Sequence, residues 1–148
     1  MKNLLTIFTL VFTVMFSSAN SASGQEFRGV HDMLNTEDMS DPFFLSAVIQ
    51  RCSGLYTSLT IFSEAVPQKL KDVSMHNAVN GSKVATSLLN QKLNEPAKNE
   101  LKVQERIRTY TSVYYKQLEK SQTMTGSIFS DWTKREFAQC NKIFSNFK

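Results

Sequence analysis

The chain is poor in the residues that most often carry chemistry: of 148 residues, two are histidine, two cysteine, one tryptophan, three proline and five glycine. Each scarcity excludes something. The histidines are His31 and His76, and the cysteines, Cys52 and Cys140, are 88 positions apart. The sequence contains no Glu-x-x-His pair for a di-iron bundle, no His-Glu-x-x-His and no Cys-x-x-Cys-His for covalent haem. No metal ligand and no cofactor is therefore expected. One cofactor alternative remains, a haem inside the helical body between His76 and Met124 or Met33. Against it, His76 reads as a rim histidine and the methionines as flexible filling. The five glycines supply neither a Gly-x-Ser-x-Gly turn nor a glycine-rich phosphate loop. Glu37, Asp38 and Asp41 cluster, but without the alternation and glycine turn of a calcium loop. No catalytic residue is identified.

A membrane-length apolar run is also missing. The longest uncharged apolar stretch, Leu4 to Phe16, has 13 residues, short of the roughly 20 that a spanning helix needs. With Lys2 before it and SSANSASG after it, it reads as a secretory signal peptide over residues 1–22, cut after Ser21, Ala22 or Gly24. An uncleaved anchor is the alternative that its length disfavours. No cysteine follows the run, so a lipoprotein anchor is not expected. The remaining 126 residues carry a net charge of +3, since Lys2 leaves with the peptide and reduces +4 by one. That is one domain's length. Export, to the periplasm or the extracellular space, argues against nucleic acid as partner.

Export also decides the reading of the cysteines. An oxidising compartment favours pairing, and two cysteines allow one connectivity, Cys52 to Cys140. A nucleophilic cysteine needs a partly exposed, activated thiolate. Cys52 instead sits mid-helix on an apolar face, with Arg51 pointing elsewhere and no histidine near in sequence.

What the chain does have is helical periodicity. Residues 23–40 read as a loosely ordered N-terminal arm in which Val30, Met33 and Leu34 form one docking turn. The bundle domain occupies 41–148. Asp41-Pro42 opens its first helix by capping and by a proline at the first turn. Leu45, Val48, Cys52, Leu55, Leu59, Phe62 and Val66 then follow at spacings of three and four, until Pro67 stops the run. A second helix is expected over 69–93, continuous or kinked at Asn80-Gly81, a dipeptide that also signals turns. A third runs from Pro96 to Thr125 and closes at Gly126. A fourth covers 131–146, with Trp132, Phe137, Cys140, Phe144 and Phe147 inward. No alternating strand pattern or internal repeat competes. The expected fold is an all-α, antiparallel up-and-down four-helix bundle, with the disulfide between its first and last helices.

Two surface features complete the reading. Lys98, Lys102 and Arg106 recur every four residues and form a basic stripe, extended by Lys116 and Lys120. Such a stripe suits an acidic protein or an anionic membrane surface, although Glu95, Glu105 and Glu119 fit a plainly solvated face. Tyr115 lies one position off the inner stripe and is expected half-exposed. Asn80-Gly81-Ser82 matches a glycosylation pattern, but mid-helix it is a poor acceptor. The expected function is a non-catalytic binding or interaction role for a protein or small-molecule partner. A small-ligand or haem carrier is the second expectation. An enzyme with dispersed residues is the third, and it requires a pocket that unites His76, a carboxylate and Arg51 or Arg106.

Overall fold

A computed structural model describes residues 27–34, 38–62 and 66–147. The expected signal peptide lies outside these residues, as do the first residues of the arm. Among the described residues there are five helices and no strand: α1 (Val30–Leu34), α2 (Pro42–Ile61), α3 (Gln68–Asn90), α4 (Pro96–Thr125) and α5 (Asp131–Ser145). No helix among them is long and apolar enough to cross a membrane.

Local chemistry sets the ends. Asp41 accepts a hydrogen bond from the Phe43 N–H, with Pro42 in the first turn of α2. Gly126 ends α4 in the left-handed region, φ 72°. Ser130 caps α5 by accepting from Thr133 N–H. α3 stops earlier than expected, at Asn90, because the Asn99 side-chain amide donates to Asn90 Oδ1 and to the Leu93 carbonyl and holds the turn into α4.

α2 is the centre of the molecule, packed along α3 and α4 and also touched by α5 and α1. α3 and α4 pack on each other, so these three helices make a body to which α5 and α1 are added. Being surrounded, α2 buries Val48, Cys52, Leu55 and Leu59 of the expected stripe, and also Ser46, Gln50, Ser53 and Ser58. Those polar groups are affordable inside because most of them bond locally. Ser53 donates to the Ile49 carbonyl and Ser58 to the Leu55 carbonyl, while Ser46 reaches the Ala85 carbonyl of α3.

The disulfide joins Cys52 and Cys140, with Cα atoms 5.4 Å apart and both residues fully buried. It corrects one expectation: it links the second helix of the chain to the fifth, not the first to the last. The reason is α1, a five-residue helix ahead of the four long ones. Val30 and Met33 of α1 are buried, and α1 packs on α5 and α2. α3 runs unbroken through Asn80-Gly81. Gly81 is there for proximity, since a Cβ would lie 2.6 Å from Phe144 Cζ and overlap the Ser53 hydroxyl.

Candidate functional site

The most concentrated polar chemistry in the molecule surrounds Glu136, a carboxylate only 1 % exposed on the inner face of α5. Its stripe neighbours are Trp132 and Cys140, one turn to either side. Burying an ionisable group without partners is costly, and Glu136 has three donors. Oε2 accepts from Val30 N–H at 2.7 Å and from the Tyr114 hydroxyl at 2.8 Å, while Oε1 accepts from His31 N–H at 3.0 Å. The first two helical N–H groups of α1 are thus satisfied by a side chain more than a hundred positions away. Burial pushes the Tyr114 hydroxyl well above its ordinary pKa, and the adjacent carboxylate adds to this, so Tyr114 is held as a neutral donor.

Arg51, the one charged residue of α2, faces the same segment. Its guanidinium lies 4.9 Å from the Phe27 ring centre and 4.8 Å from that of Tyr110, a sandwich suited to a delocalised cation. Nη1 donates to the Arg28 carbonyl, and the buried Nε has no hydrogen-bond partner among the described residues. Phe27 completes the site. Its ring meets Tyr114 edge-on at 5.2 Å, with Tyr110 and Trp132 each at 6.4 Å. Between Phe27 and Val30, Gly29 leaves room for the Glu136 carboxylate, since a Cβ there would stand 2.7 Å from the Glu136 Cδ.

Glu136 was not identified as functional from sequence, and Arg51 was named there only as a conditional partner of His76 in an enzyme pocket. Both carried a signal: Glu136 is a carboxylate on an otherwise apolar stripe, and Arg51 is the lone charge in a 20-residue helix.

The residues singled out in the sequence are spread over other surfaces. Lys98, Lys102 and Arg106 are exposed along α4, and Lys98 pairs with Glu95 at 3.0 Å. His76 is exposed on α3, bonded to the Asn80 side chain at 2.8 Å. It lines a hollow with Asp72, Asn77, Asn141 and Phe144, which contains a carboxylate but neither Arg51 nor Arg106. Met124 lines a separate hollow beside Lys120 and Trp132, and Met33 is buried in the core. The structure therefore does not bring His76 together with either methionine. Among the described residues no three His, Cys, Asp or Glu side chains are grouped to hold a metal ion. Tyr115 is half-buried, its ring 5.1 Å from that of Phe62.

Comparison with known proteins finds no matching family model, no matching curated protein and no matching solved structure.

Proposed function

We propose that this chain is an exported binding protein without catalytic chemistry of its own, acting in the periplasm or outside the cell on a protein partner, and that its four long helices form a disulfide-braced bundle. The observation that carries the reading is how its two inward-facing ionic side chains are used. Arg51 and Glu136 both engage main-chain groups of one short segment, a carbonyl and two N–H groups. Donors and acceptors aimed at peptide backbone, beside aromatic side chains, are the chemistry of polypeptide recognition. The short apolar run at 4–16 and the paired cysteines support export.

The test has two arms. Expressed whole with its own N-terminus, the protein should be recovered from the periplasm or medium, starting after residue 21, 22 or 24. Chemical cross-linking in the native envelope fraction should then capture a reproducible protein partner. A full-length cytoplasmic product, or repeated capture of nothing beyond controls, would overturn the reading. Haemin titration separates the carrier alternative, which requires a Soret band that persists after gel filtration.

A further inference from the structure

We infer that the cleft between α2, α4 and α5 is a peptide-binding site whose present occupant, residues 27–34, is an intramolecular ligand, and that its partner is a polypeptide segment of the pattern aromatic-x-Gly-aliphatic. The inference deepens the binding role proposed above and rests on it.

The occupant defines the chemistry. Phe27 fills the space between the Arg51 guanidinium and the Tyr110, Tyr114 and Trp132 rings. Arg28 follows, exposed, with its guanidinium donating to the Asp32 carbonyl of the arm itself. Glycine is favoured next, because a Cβ there would overlap the Glu136 carboxylate and push it off the N–H groups and the Tyr114 hydroxyl that it accepts from. Val30, fully buried, is the second anchor, and its N–H and the next one bond Glu136. Phe27 and Val30, three residues apart with backbone bonds beside them and Met33 buried behind, make a recognition code rather than a general apolar contact.

Where it meets Phe27, the receptor wall also differs from the core that surrounds it. The interface of α2 with α3 and α4 is lined by residues such as Leu55, Leu59, Ala85 and Val103, for which contact with water is costly. Around Phe27 and Gly29 the cleft is lined by Arg51, Tyr110, Tyr114, Trp132 and Glu136, each with a polar tip that water can satisfy, while Val30 and Met33 join the apolar core. Exposing this wall costs less than exposing an equal area of core, so its occupant can be exchanged while the disulfide keeps α5 on α2. A tethered ligand competes at an effective concentration of the order of millimolar. The arm therefore holds the cleft closed to weak segments and yields to strong ones.

The experiment uses the full exported chain and a labelled peptide of residues 24–35, GQEFRGVHDMLN. In one form Phe27→Ala and Gly29→Ala are combined, which weakens the arm and leaves the wall intact. This variant should bind the peptide at least tenfold more tightly than wild type, and a peptide with the same two substitutions should not bind. Adding Glu136→Gln should weaken peptide binding at least tenfold. In a second form, residues 35–37 are replaced by a protease site that is cut after folding, so that no arm substitution is needed. The cut arm should then exchange for the labelled peptide while the helical circular dichroism persists. Loss of helicity on cutting, no saturable peptide binding by either form, or binding indifferent to Glu136→Gln would overturn the inference. So would a stable dimer with arms exchanged between two copies in place of peptide capture. Cross-linked partner that is recovered undiminished with Glu136→Gln would overturn the cleft but leave the binding role standing. Peptide exchange with no captured partner would do the reverse.

Discussion

At the scale of single residues, Glu136 and the tyrosines dominate. Glu136→Gln keeps the volume but replaces one acceptor oxygen by an NH2 group that faces a donor. One of Val30 N–H, His31 N–H or the Tyr114 hydroxyl then loses its partner in a buried place. The cost is about 1–3 kcal/mol, and urea denaturation should show it together with faster amide exchange at Val30 and His31. Unfolding that is destabilised without faster exchange at those two amides would mean that Glu136 does not hold the arm. The tyrosines add a pH dependence. Burial pushes Tyr56 up to about 12, against an opposing bond from Asn77, and pushes Tyr114 well above the ordinary value of 10.0. In both, the folded state keeps a proton that the unfolded chain gives up near pH 10. Their contribution is therefore complete below about pH 10 and is lost as pH rises through 10 towards 12, at up to roughly 1.4 kcal/mol per pH unit for each tyrosine. Urea midpoints between pH 8 and 11.5 should fall along this limb. Tyr56→Phe should flatten it while lowering stability at pH 8, where the bond from Tyr56 to Asn141 at 2.7 Å is lost.

At the scale of helices, two glycines set how closely α2, α3 and α4 approach, and they differ in a way that stability measurements can read. A Cβ on Gly54 would lie 2.5 Å from Tyr110 Cβ and 3.0 Å from the backbone of Thr111, atoms fixed by α4 itself. A Cβ on Gly81 would meet the Ser53 hydroxyl, which can turn to another rotamer, and the tip of the Phe144 ring, which a change of χ1 moves aside. Alanine in either helix gains up to about 1 kcal/mol of intrinsic propensity over glycine. Gly54→Ala should thus be net destabilising by about 2 kcal/mol, as overpacking typically is, and Gly81→Ala by less than about 1 kcal/mol. Equal losses in urea denaturation would refute this account of the α2–α4 contact. The same helices show what the sequence made legible. Asp41-Pro42 and Gly126 placed the ends because they act locally, whereas α2 stops at Ile61, with Phe62 already extended, and Pro67 instead stands at the start of α3. The one-sided stripe read for α2 was too narrow, because Ser46, Ser53 and Ser58 look like a solvent face until their hydroxyls are seen bonded to carbonyls. The roles of Glu136 and Arg51 stayed hidden for a related reason. Their partners are backbone atoms of residues 28–31, and backbone partners leave no mark in a pattern of side chains.

At the scale of the whole molecule, the bond between Cys52 and Cys140 holds together what packing joins only in part. α5 reaches the body through α2, through Tyr114 of α4 and through α1, and α1 in turn depends on Glu136 of α5. Without the bond, α5 keeps the arm, the hydrogen bonds of Glu136 to Tyr114 and of Asn141 to Tyr56, and Phe144 and Ile143 on the core. Closing a loop of 88 residues restricts the unfolded chain by about 4–5 kcal/mol in the chain-entropy account. Cys52→Ala should therefore be destabilised by that order relative to oxidised wild type, and by about 1–2 kcal/mol relative to reduced wild type, where packing of the sulfur is what remains to lose. The loss should also be uneven. Amides of α5 and of residues 30–34 should exchange far faster in the reduced protein, while the α2–α3–α4 amides slow exchange through their own contacts. The wild-type comparison before and after reduction, read by hydrogen exchange, decides the matter. Uniform acceleration across all five helices would mean that the disulfide stabilises one cooperative unit. Acceleration confined to α5 and α1 would mean that the covalent link fixes the wall and the occupant of the cleft to a body that folds around α2.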